Sequence, residues 1–274
     1  MIRVNADANE RLTLVRSDVI SGRIHMRLLT ARGETLVARA AKTEESCIRE
    51  FKIMTELCRS IDGHPDARFF VMPRSLGIFD GVAYLVSPLV ATEPISARLE
   101  RGAMGTDLVL RTAACICRAI RSMHAAGIVH GNLTAESVLL DGHGAVHICD
   151  VESPVRSLGY TPPEILDGGV FTRAGDMWSY GVLLVVMITG SVPFISADAE
   201  ASKNMDTTSE IYQLIQSLVV GLPGARTSAA SALSHVAFNG LTHEATEVYS
   251  TLAVASLDAE MGIGIQVAEP MLFT

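Results

Sequence analysis

The chain has 274 residues, 49 % of them apolar, and carries 22 Lys and Arg against 30 Asp and Glu for a net charge of −8. That length buries ample core in one two-lobed domain or two small ones, and the acid excess leaves out a basic footprint for nucleic acid. The longest apolar run, residues 182–188, falls far short of the roughly 20 residues a membrane-spanning helix needs. Five scattered cysteines (Cys47, Cys58, Cys115, Cys117 and Cys149) lack metal-site pairing, and the C-x-C of Cys115 and Cys117 lies in an apolar helical stretch where it reads as packing. Residues 1–16 mix Arg, Asp and Glu without the apolar core of a targeting peptide, so a reducing intracellular compartment, cytoplasmic or nuclear, is expected.

In chain order, residues 12–20, 25–29, 35–40, 76–79 and 83–86 are short alternating or β-branched runs, separated by turn signals at Gly22, Arg32-Gly33 and Asp80-Gly81. Asp80-Gly81 between two apolar runs marks a hairpin. Residues 44–59 place Ile48, Phe51, Met54, Leu57 and Cys58 at the 3-and-4 spacing of one helical face. From Leu89 the pattern turns helical. Residues 107–124 align Leu108, Cys115, Ile116, Ala119, Ile120 and Met123, two β-like pieces follow at 138–140 and 146–148, and an apolar helix begins near Asp176. The expected class is α+β: a β-rich part with one helix over 1–88, a linker near 88–94, a mainly helical part over 89–240, and an extension over 241–274 to which no role is assigned.

Residues 128–164 are the most informative. His130-Gly131-Asn132 is followed five residues on by Ser137, then by Asp150-Val151-Glu152 and by Pro162-Pro163-Glu164. Order and spacing resemble the protein kinase family, whose signature has H-R-D, a metal-binding Asn, D-F-G and A-P-E at these places. The resemblance extends over roughly residues 12–240 and implies a two-lobed fold, with an antiparallel β N-lobe carrying one helix and a helical C-lobe. Downstream, Asp176-Met177-Trp178-Ser179-Tyr180-Gly181 is similar to the family's D-x-W-S-x-G, with Asp176 bracing the catalytic-loop backbone. Gly190-Ser191-Val192-Pro193-Phe194 and the run from Leu222 to Phe238 also match family motifs, which makes Arg226 the ion-pair partner of Glu164.

The residues that would carry chemistry depart from that pattern. Leu36-Val37-Ala38-Arg39 stands where the family has V-A-I-K, and Glu50, eleven residues on, is the implied partner of Arg39. An arginine keeps the charge, but its planar fork does not reproduce a compact ammonium between two phosphates. Only Gly22 remains of the G-x-G-x-x-G loop that approaches phosphates, and one glycine fits an ordinary hairpin turn better. Tyr84 to Val90 resembles the hinge, where Pro88 removes one amide donor and Val90 retains one. Asn132 is neutral where the family has a catalytic Asp, and a positioned general base contributes roughly 10²–10⁴-fold. Gly131 removes the arginine that reads a phosphorylated loop, and the H-G-N form is similar to the pseudokinase domains of Janus kinases.

Ser137 is a poorer hard-cation ligand than an amide oxygen backed by a carboxylate, so Asp150 is the one intact metal-type residue. Val151, with His130, Met54 and Asp176, would complete the family's regulatory spine. Glu152 adds a negative charge, and only eleven residues separate it from Glu164, too few for a switchable activation loop. The resemblance therefore implies a pseudokinase with a protein partner, Mg and ATP held weakly if at all, and no membrane span. The alternative is an active serine/threonine kinase working through Asn132, Asp150 and Arg39. The shortened loops also resemble divergent kinase homologues of large DNA viruses.

Overall fold

The computed structural model describes residues 3–4, 12–20, 23–90, 92–141, 144–151, 157–193, 206 and 208–241. They form two compact units, one of residues up to 60 with 71–91, the other of 61–70 with the described chain from 92 onward. Residues 61–70, inside the span read as the N-lobe, thus cluster with the second unit.

The first unit is a six-stranded antiparallel sheet of β1 (Arg3–Val4), β2 (Leu12–Ile20), β3 (Arg23–Thr30), β4 (Thr35–Ala40), β5 (Ser75–Phe79) and β6 (Val82–Pro88), in the order β1-β5-β6-β4-β3-β2. Alternation along β3 and β4 sends Met26, Leu28, Leu36, Ala38 and Ala40 to one face, where they pack with Tyr84 and Val86, and Leu12 and Leu14 of β2 lean on the same cluster. β5 and β6 close through Asp80 (φ 49°) and Gly81 (φ 73°), the left-handed pair that a tight two-residue hairpin requires. The helix α1 (Glu44–Ser60) opens on Glu44 and Glu45 and ends on Arg59, charges that complement its dipole. Its Cys47 and Phe51 pack on Ala83 and Leu85.

In β2 the pairing runs Leu14 with Leu28 and then Arg16 with Arg27, so Val15 is an extra residue, a β-bulge. Alternation would have turned Arg16 to the same face as Leu12 and Leu14. The bulge reverses that parity and brings Arg16 to the opposite face, beside Arg27.

The second unit is built on α3 (Thr106–Ala125) and α5 (Arg173–Thr189), with α2 (Ile95–Leu99), α4 (Pro163–Leu166), α6 (Glu210–Leu218) and α7 (Ala229–Leu233) as shorter pieces. Ile116, Ile120 and Met123 of α3 and Met177, Tyr180 and Leu184 of α5 are 0–1 % exposed. The one polar tip among them is satisfied, since the Tyr180 hydroxyl donates to the Ala113 carbonyl at 2.9 Å. Gly181 lets α6 come close: a Cβ there would meet Val219 at 2.7 Å and Leu218 at 2.9 Å.

A three-stranded sheet of β7 (Thr92–Pro94), β8 (Val138–Asp141) and β9 (Val146–Ile148) completes the unit. β7 falls within the stretch read as a linker. It is three residues long and ends in proline, so its sequence carries no alternation, and pairing with β8 supplies the reason for a strand there. Among the described residues no helix is long and apolar enough to cross a membrane.

Candidate functional site

Two sets of sequence-selected residues are found, one in each unit. In the first, β4 alternation leaves Val37 and Arg39 on the face opposite Leu36 and Ala38. Arg39 Nη2 reaches Glu50 Oε1 on α1 at 2.6 Å, both side chains 12 % exposed, so this charge-assisted bond sits where water screens it little. The amide of Leu89 donates to the Thr35 carbonyl at 3.1 Å. Val90 is half-buried beside it in sequence. Gly22 lies outside the described residues, as do Glu152, Phe194 and residues 242–274.

In the second unit one carboxylate holds the loop before β8. Asp176, in the first turn of α5 and fully buried, accepts from the amides of His130 and Gly131 and from His124 Nε2, each at 2.8 Å. Three donors and the positive end of α5 compensate that buried charge. Gly131 takes φ 71°, left-handed backbone that a Cβ would strain. His130 Nδ1 accepts from the amide of Asn132 at 3.2 Å, which leaves the proton on Nε2 to donate to the Cys149 carbonyl at 3.1 Å. Burial pushes the His130 pKa down against the pull of Asp176 and Asp150, so the ring is neutral.

Asn132 therefore sits on a fixed loop, but an amide cannot take up a proton near pH 7. Ser137 is fully buried, and its hydroxyl is spent locally: it accepts from the Thr134 amide at 2.9 Å and donates to the Thr134 carbonyl at 3.2 Å. Thr134 Oγ1 accepts in turn from the amides of Glu136 and Ser137. The loop is a closed Ser/Thr turn that satisfies itself. Asp150 follows with φ 63°, an uncommon left-handed conformation for a residue with a side chain. Val151 behind it is 1 % exposed. Met54, in the other unit, is 2 % exposed.

The donor set does not fit a resident Mg²⁺. A hard divalent ion requires several free oxygen ligands, whereas the Ser137 hydroxyl already donates inward, leaving Asp150 as the carboxylate of the two motif positions among the described residues. Among the described residues there is no group of three His, Cys, Asp or Glu able to hold a metal.

The short segment after this loop is bolted down. The Tyr160 hydroxyl oxygen accepts from the Ala135 amide, and burial pushes its pKa up to about 12. Ser179 holds the Tyr160 carbonyl at 2.8 Å. Glu164 receives both forks of Arg226, each at 2.7 Å, and the Arg226 side chain, with no exposed surface, also donates to the carbonyls of Val220, Ala174 and Gly221 and lies 5.0 Å over Trp178. Burial alone would raise the Glu164 pKa, and the Arg226 hydrogen bonds outweigh it and hold the carboxyl low.

Two features were not singled out from the sequence. Thr134 is one, the partner that closes Ser137. The other is Asp66, fully buried, which binds Arg118 at 2.7 Å, Arg121 at 3.2 Å and Ser122 at 2.8 Å and so ties the turn at Pro65–Phe69 to α3. The available signal was Arg118, Arg121 and Ser122, spaced three and four apart on an otherwise apolar helix.

The protein kinase domain family matches residues 34–238. A probable serine/threonine-protein kinase, pknA2 of Bifidobacterium longum, is 32 % identical over 137 residues, 44 % of this chain and 18 % of that one. The Homo sapiens ribosomal protein S6 kinase alpha-2 is 27 % identical over 173 residues, 58 % of this chain and 22 % of that one. The chain thus spans about a fifth of the length of these curated relatives. The crystal structure of Rad53 with AMP-PNP is similar at TM-score 0.67 and 21 % identity, covering 84 % of this chain and 66 % of that one, a likeness of fold.

Proposed function

We propose a function from one premise: the chain belongs to the protein kinase domain family. Within it, the chain is a pseudokinase, a regulatory or scaffolding module that engages a protein partner, binds Mg-ATP weakly or not at all, and does not transfer phosphate. The observation that carries this reading is the self-closed catalytic loop. Asp176 still holds its backbone with three bonds, yet the general-base position carries Asn132, and the family's metal-binding Asn position carries a Ser137 hydroxyl consumed by Thr134. Frame without chemistry is what a binding surface retains.

The rival reading is an active serine/threonine kinase. It is favoured by the Arg39–Glu50 pair at 2.6 Å and by Asp150, and by the kinase names of the relatives. It lacks a proton acceptor and a second metal ligand.

The test separates frame from site. Partner capture from native cells should survive Asp150→Ala, whose melt should be near wild type, and should be lost in Arg226→Ala. Loss of capture in Asp150→Ala with a normal melt would mean that the nucleotide site itself carries the function.

A further inference from the structure

The six-stranded sheet of the first unit ends on β2, and among the described residues no strand pairs with its far edge. A long edge strand is a template for another strand, and proteins ordinarily blunt it by shortening it or placing proline or lysine there. β2 runs to nine residues and contains neither proline nor lysine. Its bulge lies at Val15; from Arg16 to Ile20 it pairs with β3 residue for residue, Arg16 with Arg27 through to Ile20 with Arg23. Val15 is 57 % exposed and Val19 72 %, and Ile24, the partner of Val19 on β3, is 41 % exposed. An apolar edge of this length is an association site.

The sequence of the edge says what fits it. Read about Ser17, the run Leu14-Val15-Arg16-Ser17-Asp18-Val19-Ile20 is complementary to itself. In an antiparallel pair of two β2 strands centred on Ser17, Arg16 of each copy stands opposite Asp18 of the other, Val15 opposite Val19, and Leu14 opposite Ile20. Positions 16 and 18 both lie beyond the bulge and two apart, so they share a face, as directly opposed residues must. Opposite charges across a strand pair stabilise it and like charges destabilise it. Moving the two-fold axis by one residue sets Arg16 against Arg16 or Asp18 against Asp18. The charges therefore select one register and reject its neighbours.

We infer that β2 is a self-association surface: two copies of this chain pair edge to edge, antiparallel, across a two-fold axis at Ser17, in one sheet continuous through both. Such an interface is isologous, so the Arg16–Asp18 contact occurs twice. A guanidinium has several N–H donors, and the bond to Asp18 of the second copy adds to the contacts Arg16 makes within its own chain. One strand pair is a small interface, so the dimer is reversible rather than permanent. The inference goes beyond the pseudokinase reading and does not depend on it, since β2 carries none of the residues on which that reading rests.

The experiment is sedimentation velocity of the full chain from low-micromolar to near-millimolar concentration, over which the wild type should pass from monomer to dimer. Asp18→Arg opposes two pairs of cations and Arg16→Asp two pairs of carboxylates, so either change alone should weaken the dimer about tenfold or more. An equimolar mixture of the two variants should dimerise as the wild type does, because every opposed pair is again of opposite sign. The double variant Arg16→Asp/Asp18→Arg should dimerise by itself for the same reason. Restoration by mixing also controls for folding, since a chain that had lost its sheet would not be rescued by a partner. A wild type that stays monomeric throughout, as it would if another segment of this chain covered the edge, overturns the inference. So do dimers that neither reversal weakens, which would place the contact on another face, and reversals that weaken the dimer without being restored in the mixture. No readout involves phosphate transfer, so this inference and the pseudokinase reading fail separately.

Discussion

Replacing Arg226 by alanine is expected to be the most damaging single change among the residues described. The side chain has no exposed surface and makes five hydrogen bonds, two to Glu164 at 2.7 Å and three to the carbonyls of Val220, Ala174 and Gly221 at 2.7, 3.0 and 3.3 Å. Removing one partner of a buried pair costs about 3–5 kcal/mol because the other charge stays behind. Glu164 is 23 % exposed and recovers some hydration, whereas the three carbonyls and the face of Trp178 lose a partner as well. The two corrections act in opposite directions, and the estimate stays at about 3–5 kcal/mol. For a chain of this size that lowers Tm by roughly 6–20 °C, at about 2–4 °C per kcal/mol.

Urea melts of wild type, Arg226→Ala, Arg226→Lys and the control Arg49→Ala make the comparison. Lysine keeps the charge without the fork and should fall between. Among the described residues Arg49 pairs with Glu45, at 58 % and 83 % exposure, and its loss should cost less than about 0.5 kcal/mol. The pH dependence adds a second readout. The Glu164 pKa is held below its unfolded value, so the pair's contribution is complete above the unfolded carboxylate pKa of about 4.3 and is lost as pH falls through the folded value. The gap between wild type and Arg226→Ala should therefore close in acid. A cost under about 1 kcal/mol at neutral pH, or a gap that widens in acid, would refute the reasoning.

Three further outcomes are expected. Asn132→Asp alone should leave phosphate transfer absent, measured with Mg-ATP and a generic protein substrate, because the Ser137 hydroxyl stays closed onto Thr134. Ser137→Ala should cost about 1–3 kcal/mol in a denaturant melt, since it leaves the buried Thr134 amide without its acceptor; a neutral result would show that the turn is held by other means. Between about pH 7 and 5 stability should fall with acidification, because burial depresses both His130 and His147 and the unfolded chain takes up protons through pH 6.5 that the folded chain refuses. The slope reaches at most about 1.4 kcal/mol per pH unit for each ring, and His147→Gln should flatten its share in melts across that range.

What was legible in the sequence is what is written locally. Met26, Leu28, Leu36 and Ala38 alternate as a half-buried sheet should, and Asp80-Gly81 has the chemistry of the hairpin it forms. The Asp176 clamp and the Glu164–Arg226 pair span 45 and 62 residues, and they were legible only because motif order supplied the partner that spacing cannot. Where no motif named the partner, the contact stayed hidden. Asp66 and Arg118 are 52 residues apart, and an aspartate beside proline reads as an exposed turn, whereas here it is the fully buried hub of three bonds. The fate of Ser137 depends on the rotamers of two hydroxyls, and the side to which Arg16 points depends on one extra residue in a strand pair. Periodicity fixes neither.

Transfer of labelled γ-phosphate from Mg-ATP, to the protein itself or to added substrate, tests the central claim most directly. The expected result is no signal above background for wild type, Asn132→Asp and Asp150→Ala alike. Transfer by the wild type that Asp150→Ala abolishes would contradict it, and would make this chain a working kinase with an unusual loop.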